Sequence, residues 1–288
     1  MNYRQHRARQ RFIETDGGKI AFVDEGQGPA ILLLHGFPTS SWLFRNVIPI
    51  LVENGFRVIA PDLLGFGSSA KPDDHALYST EKQTRRILAL MQFLNIKTWT
   101  QVCHDLGGPW TWEMIDMEPE HVQKLVITNT TAYLDGWNPP AQVRMMSTPI
   151  GTILLALLRS KLLGPRLAKS MFVDFVGHPE NLTPGAIEGY WIPLPEGATR
   201  AVRYYSQSRR TLPDHFPRYQ AALKRLVIPA MLIWGKSDQS LDCEVMTGQF
   251  ARDLKIPNEL IHVFEDAKHV LWEDYPHEIA HLIANFAK

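Results

Sequence analysis

The order of apolar runs and amphipathic stretches predicts an α/β fold: a mostly parallel central sheet flanked by helices, with a helical cap inserted between two strands. Three observations carry this expectation. Ile31–Leu34 and Ala230–Trp234 are continuous apolar runs, the pattern of strands buried on both faces of a parallel sheet. Between Arg57 and Thr128, strand-like and helix-like segments alternate. From Asp135 to about Asp214 that rhythm stops, leaving many prolines and apolar helical pieces such as Ile150–Leu158. The predicted division is a core of residues 1–134 and 215–288 and a helical cap of residues 135–214.

Taken in order, Arg11–Thr15 and Lys19–Asp24 flank the turn Asp16-Gly17-Gly18 and read as an opening hairpin. Ile31–Leu34 is a buried strand ending in the turn His35-Gly36-Phe37-Pro38, where the Phe37 N–H either points into a site or belongs to an ordinary Gly-Pro turn. Trp42–Val52 is expected to be helical and Arg57–Ala60 a strand. The Gly-rich loop from Asp62 to Pro72 lacks the Gly-Lys-Ser/Thr ending of a phosphate-cradling loop. Ser79 or Thr80 caps a helix reaching about Phe93, and Lys124–Thr128 is a further strand. After the cap come Ala230–Trp234, Leu260–Phe264 and a last helix from about Pro276.

Composition excludes several classes. The 288 residues hold 30 Lys+Arg and 30 Asp+Glu, so no global field draws in nucleic acid or an anionic membrane. Arg4, Arg7, Arg9 and Arg11 are expected to form a solvated basic tail. The two cysteines, Cys103 and Cys243, are too few for a disulfide framework, which points to a reducing compartment. The N-terminus has no signal-peptide core and the longest greasy run is too short to span a bilayer, so a cytoplasmic protein is expected, monomer or homodimer.

The chemistry concentrates at Thr98–Gly108, TWTQVCHDLGG. A β-branched and aromatic run stops at Cys103-His104-Asp105, and the apolar period Leu106, Trp110, Met114 begins at once. Strand, sharp turn and helix follow, with Asp105 at the apex and small residues where the backbone doubles back; this fits a nucleophile elbow with Asp in place of Ser. Asp105 could equally be a helix N-cap. Asp238 and His269 also follow strands, so the three side chains can converge at the carboxyl edge of the sheet in the order nucleophile, acid, histidine.

The segments HGFPTSSWLFRNVIP, APDLLGFGSSAKP, VCHDLGG and HVLWEDYPHEIA resemble the α/β-hydrolase superfamily over almost the whole chain, and within it the haloalkane dehalogenases and related epoxide hydrolases. The cap stretch from Tyr190 to Pro195, leading to Arg203-Tyr204-Tyr205, is similar to the same group. The resemblance implies Asp105 as nucleophile, Asp238 as acid, His269 as base, and the N–H groups of Phe37 and Leu106 as an oxyanion hole. It also implies Tyr205, Tyr204, Tyr190, Trp191 and His104 as substrate-binding or proton-donating residues. No metal or organic cofactor is needed, because an ionised Asp, with a reference pKa of about 3.9, attacks an sp³ carbon unaided and forms an ester that water can cleave.

The leaving group separates the relatives. Dehalogenases of this group hold the halide with a Trp directly after the nucleophile, plus a cap Trp or an Asn in the first oxyanion turn. Here those positions hold Leu106 and Phe37, and Ile150–Arg159 contains no Trp. Epoxide hydrolases protonate the ring oxygen with cap tyrosines; Tyr205 or Tyr204 matches the second of these, and Tyr133 or Tyr190 is a candidate for the first. Three readings follow: an epoxide hydrolase acting on a small apolar substrate, a divergent haloalkane dehalogenase, and a small-molecule-binding protein without turnover.

Overall fold

A computed structural model describes residues 1–288. Eight strands form one sheet: β1 Arg11–Thr15, β2 Gly18–Glu25, β3 Ala30–Leu34, β4 Arg57–Pro61, β5 Trp99–His104, β6 Val122–Thr128, β7 Ala230–Gly235 and β8 Ile261–Phe264, in the order β1-β2-β4-β3-β5-β6-β7-β8. The first two pairings, β1 with β2 and β2 with β4, are antiparallel, and every other pairing is parallel. The helices, in chain order, are α1 Tyr3–Ala8, α2 Ile48–Glu53, α3 Thr80–Phe93, α4 Gly107–Met117, α5 Ala141–Met146, α6 Pro149–Leu158, α7 Gly164–Val173, α8 Pro184–Trp191, α9 Thr199–Ser208, α10 Phe216–Arg225, α11 Cys243–Leu254, α12 Leu271–Asp274 and α13 Pro276–Ala287.

The central strands explain why apolar runs replace alternation. Along β3, Leu32 and Leu34 enter one core cluster while Ile31 and Leu33 enter the other, since successive side chains point to opposite faces and both faces are covered by helices. β5 and β7 are buried along their whole length. Hence the parallel strands all deliver their carboxyl ends to one edge, where the loops after β3, β5, β6, β7 and β8 meet.

Two expectations are corrected. The helix foreseen over Trp42–Val52 is split into a 3₁₀ turn, Ser41–Phe44, and α2. Pro49 sits in the first turn of α2, where a missing N–H costs nothing, and cannot lie deeper in a continuous helix. The basic N-terminus is not a solvated tail. Asn2 and Gln5 form a capping box that starts α1, and Tyr3 and His6, one turn apart, pack edge-on against the buried Trp42 with ring centroids 5.4 and 5.3 Å away. Arg7 and Arg11 turn outward to Glu196 and Asp24.

Between β6 and β7 the chain builds α5–α9 across the carboxyl edge. Their starts are marked by Pro149, Pro165 and Pro184 in first turns and by Thr148 and Thr183 as N-caps. A buried ion pair ties this layer down: Arg45 grips both Glu273 oxygens at 2.5 and 2.7 Å, and the Tyr190 hydroxyl donates to the same carboxylate. Trp42 adds a 2.9 Å bond from its indole N–H to the Ala186 carbonyl. No helix is long and apolar enough to cross a membrane.

Breaking a buried, hydrogen-bonded ion pair by removing one partner strands the other charge, at a cost of about 3–5 kcal/mol. Glu273→Ala is therefore expected to lower the unfolding free energy by that order, measured by urea denaturation. A loss below about 1 kcal/mol would show that Arg45 finds water or another acceptor.

Candidate active site

Asp105 stands at the apex between β5 and α4 with φ of 50°, in the left-handed region that a non-glycine residue enters only at a cost. Four hydrogen bonds hold it there. Its N–H donates to the Asn129 carbonyl at 3.1 Å, its carbonyl accepts from Gly108 N–H at 3.0 Å and from the Thr130 hydroxyl at 2.5 Å, and its Oδ1 accepts from Phe37 N–H at 2.6 Å. Close approach requires the neighbouring glycines: a Cβ on Gly36 would lie 2.2 Å from the Asp105 Cβ, and one on Gly107 would lie 2.4 Å from the Leu34 carbonyl oxygen. Asp105 is no helix cap, since α4 begins without a side-chain cap. Cys103, the other small residue of the turn, points into the core, and burial pushes its thiol up to about 12.

His269 lies between two carboxylates. Its Nδ1 is 2.7 Å from Asp238 Oδ2, and its Nε2 is 3.3 Å from Asp105 Oδ2. Burial opposes a charge on the ring, but Asp238 and Asp105 together outweigh it and push its pKa up to about 10. Burial likewise opposes ionisation of both carboxyls, and the charge and hydrogen bonds of His269 hold both below the usual carboxylate range. Asp238 is fixed by two further donors, Asn129 Nδ2 at 2.8 Å and Ser240 N–H at 2.8 Å. The Asn129 amide cannot turn over, because its Oδ1 accepts Gly235 N–H at 2.9 Å.

Beside this group the His35–Pro38 turn presents the Phe37 N–H. His35 braces the turn: its Nε2 accepts Leu63 N–H at 3.1 Å, so the ring proton is on Nδ1, which donates to the Gly36 carbonyl at 2.8 Å. Burial lowers the His35 pKa, which keeps this tautomer neutral. Leu106 N–H, at the start of α4, donates to no protein acceptor. Of these two backbone donors, one is engaged with the Asp105 carboxylate and the other has no protein acceptor.

A cavity of about 340 Å³ opens over Asp105, Leu106, Phe37, His104 and His269 and is also lined by Trp110, Trp137, Tyr204 and Tyr205. His104 sits with its ring 4.9 Å from that of His269; burial and the His269 charge push its pKa down to about 3, so it is neutral. Tyr190 and Trp191, expected to touch substrate, do not line the cavity. Tyr190 is turned by the Arg45–Glu273 pair into the contact between α8 and the core, and the Trp191 indole donates to the Leu158 carbonyl at 2.7 Å. Tyr133 is also elsewhere, donating to Asp253 at 3.0 Å. Sequence reasoning passed over Asn129, Thr130 and Ser240; their only signal is that each follows a strand or turn residue at the carboxyl edge. Nowhere do three or more His, Cys, Asp or Glu side chains gather in a way that could hold a metal ion.

Residues 29–276 match the family model described as alpha/beta hydrolase fold. The chain belongs to the α/β-hydrolase family. Among curated members of this fold it is 29% identical over 283 residues to haloalkane dehalogenase 2 of Mycobacterium tuberculosis, covering 94% of this chain and 92% of that one. It is 27% identical over 293 residues to cis-3-alkyl-4-alkyloxetan-2-one decarboxylase of Shewanella oneidensis, covering 96% and 88%. The solved structure of epoxide hydrolase CorEH superposes on this hydrolase fold with a TM-score of 0.77 at 22% identity, covering 96% and 97% of the two chains.

Because the folded pKa of His269 lies above its ordinary value, the pairing stabilises the fold fully below about pH 6.5 and that stabilisation is lost as pH rises toward 10. Asp238→Asn removes the foremost of the groups that raise it. The His269 titration midpoint, followed by NMR of its ring carbons, should fall by at least about one unit. A midpoint that stays in place would mean that Asp238 does not hold the charge.

Proposed function

We propose that this protein hydrolyses epoxides to diols through a covalent ester on Asp105. Support comes from one observation above others: of the three tyrosines at the cavity, Tyr205 alone keeps its proton available. Tyr78 donates to the Pro72 carbonyl at 2.6 Å, and Tyr204 donates to Asp73 at 2.6 Å. The Tyr205 oxygen instead accepts from Gln83 Nε2. That amide is oriented by its second bond, from Nε2 to the Leu64 carbonyl at 2.9 Å, while Arg86 approaches Oε1 at 3.4 Å. Burial raises the Tyr205 phenol pKa, so it stays protonated and can donate to a developing alkoxide.

In this mechanism a carboxylate oxygen of Asp105 attacks an epoxide carbon, the C–O bond of the ring breaks, and the ring oxygen takes the Tyr205 proton. The resting His269 is an imidazolium held between two anions. Esterification removes the Asp105 charge, one of the two that keep its pKa high, so His269 gives up its proton more readily; passed through solvent to the Tyr205 phenolate, that proton restores the donor and leaves His269 a base for water. His269 takes one proton from the water that attacks the Asp105 carbonyl carbon, the oxyanion is met by the N–H groups of Phe37 and Leu106, and the acyl C–O bond then breaks; the departing alkoxide takes the second proton of that water, giving the diol and restoring the Asp105 carboxylate beside the imidazolium. Asp238 keeps the imidazole oriented throughout.

A dehalogenase reading rests on the 29% identical relative and on Trp110 and Trp137, which line the cavity with indole N–H groups that no protein acceptor engages. Neither occupies the position directly after Asp105, which is Leu106. Their side chains nonetheless offer donors to a leaving halide.

Trapping separates the two. In His269→Gln, attack proceeds and the ester accumulates; styrene oxide is expected to add its full mass to the peptide carrying Asp105, while 1-bromobutane adds little. Ready alkylation by the bromide with no epoxide adduct would reverse the assignment. Tyr205→Phe should slow epoxide turnover about 10²-fold or more, the usual scale for a general acid, whereas Cys103→Ala, altering a thiol buried away from the cavity, should change it little.

A further inference from the structure

Arg209 follows α9 and lines the cavity, where no other Arg or Lys does. It forms no ion pair, and its buried Nε has no hydrogen-bond partner. The one carboxylate in the lining, Asp105, is already engaged by His269 and Phe37. The charged groups that act on Arg209 are of its own sign: Arg144, on the adjoining α5, and Arg210. Both are exposed, and neither has an acidic partner. Burial and these two cations together lower the Arg209 pKa. In a chain of zero net charge, a guanidinium at a largely apolar cavity, partly exposed, without a counter-ion and with a buried Nε that has no acceptor, leaves a donor that an anion can complete.

The position within α9 says where that anion belongs. Tyr205 and Arg209 are four residues apart, one helical turn, so both face the cavity with an axial separation of about 6 Å. A ligand whose ring oxygen meets Tyr205 therefore extends a second polar end toward Arg209. Its middle lies against the apolar lining, including Val202, Met146 and Leu212. A planar guanidinium favours a carboxylate, which it can bind through two parallel hydrogen bonds.

We propose that Arg209 anchors a carboxylate, and that the substrates of this site are short-chain epoxy acids with the ring a few carbons from the acid group. This rests on the epoxide-opening reading for the ring, though not for the anchor. The exposed Arg144 and Arg210 add a local positive potential at the same side of the cavity, favouring entry of anions.

Sodium hexanoate and hexanamide, matched in size and differing in charge, test the anchor without any turnover. Calorimetry on the wild-type protein is expected to show hexanoate binding about tenfold or more tightly than the amide, the scale of one charge-assisted hydrogen bond. Arg209→Met should abolish that preference, Arg209→Lys should keep part of it, and Arg210→Met should keep it. Equal binding of the two probes by the wild type overturns the proposal, a comparison that does not depend on whether any variant folds. Turnover of 5,6-epoxyhexanoate and 1,2-epoxyhexane then addresses the chemistry, with the acid expected to show the higher kcat/KM. A hexanoate preference with neither epoxide opened sustains the anchor and sinks the epoxide reading. Turnover of 1,2-epoxyhexane without a hexanoate preference does the reverse.

Discussion

One cation between two anions organises the carboxyl edge of this sheet. His269 lies 2.7 Å from Asp238 and 3.3 Å from Asp105, and each member of the group is perturbed in the direction that the others impose. The arrangement would be costly if any carboxylate oxygen were left without a donor, because burial opposes every charge in it. The chain therefore supplies donors from three of the loops around the site: Phe37 N–H after β3, Asn129 after β6 and Ser240 N–H after β7. Much of the irregular backbone nearby follows from this demand, including the left-handed φ of 50° at Asp105 and of 26° at Asn129.

The same coupling ties the charge of His269 to the charge of Asp105. With Asp105 ionised, His269 is held as an acid. In the reaction proposed above, an ester would neutralise Asp105 and leave only Asp238 to hold the imidazole proton, turning the ring toward base behaviour. His104, neutral and 4.9 Å away, adds packing without adding a competing charge. A protonated neighbour at that distance would repel His269 and weaken the clasp.

How much of this was legible before the fold was seen depended on the range of the interaction. Strands β3 and β7 announced themselves as apolar runs because burial on both faces is a local property of sequence, while β5 was legible as a β-branched and aromatic run that stops at a sharp turn. Asp105 was legible because a sharp turn between strand and helix constrains its immediate neighbours. Asp238 and His269 were legible through order along the chain and resemblance. Asn129 was not, since its role comes from contacts with residues more than a hundred positions away. Tyr190 and Tyr205 are equally aromatic cap residues in the sequence; Arg45 and Glu273 draw the first into the core contact, and Gln83 fixes the second at the cavity. The N-terminal helix was misread because a run of arginines outweighed Tyr3 and His6, whose one-turn spacing meets Trp42 only in three dimensions. The unpaired state of Arg209 is a statement about what does not surround it, which no local pattern records.

The helical layer over the site is held unevenly, and the unevenness matches the chemistry beneath it. On the His269 side the attachments are buried or charge-assisted: the Arg45–Glu273–Tyr190 group, the Asp274 carboxylate accepting Gly177 and His178 N–H at 2.8 and 2.9 Å, and Val270 N–H bonded to the Phe175 carbonyl at 2.8 Å. These fix the loop that carries His269, where an error of an ångström would separate the ring from both carboxylates. On the α9 side one buried bond, from Gln83 to the Tyr205 oxygen, is joined by ties nearer solvent: Tyr204 to Asp73, Arg200 to the Lys71 carbonyl, and Arg7 to Glu196. Such contacts are worth about 1 kcal/mol or less each. The firmer attachments thus surround the loop that carries His269, while most of the weaker, solvent-screened ties lie on the side that carries Arg209.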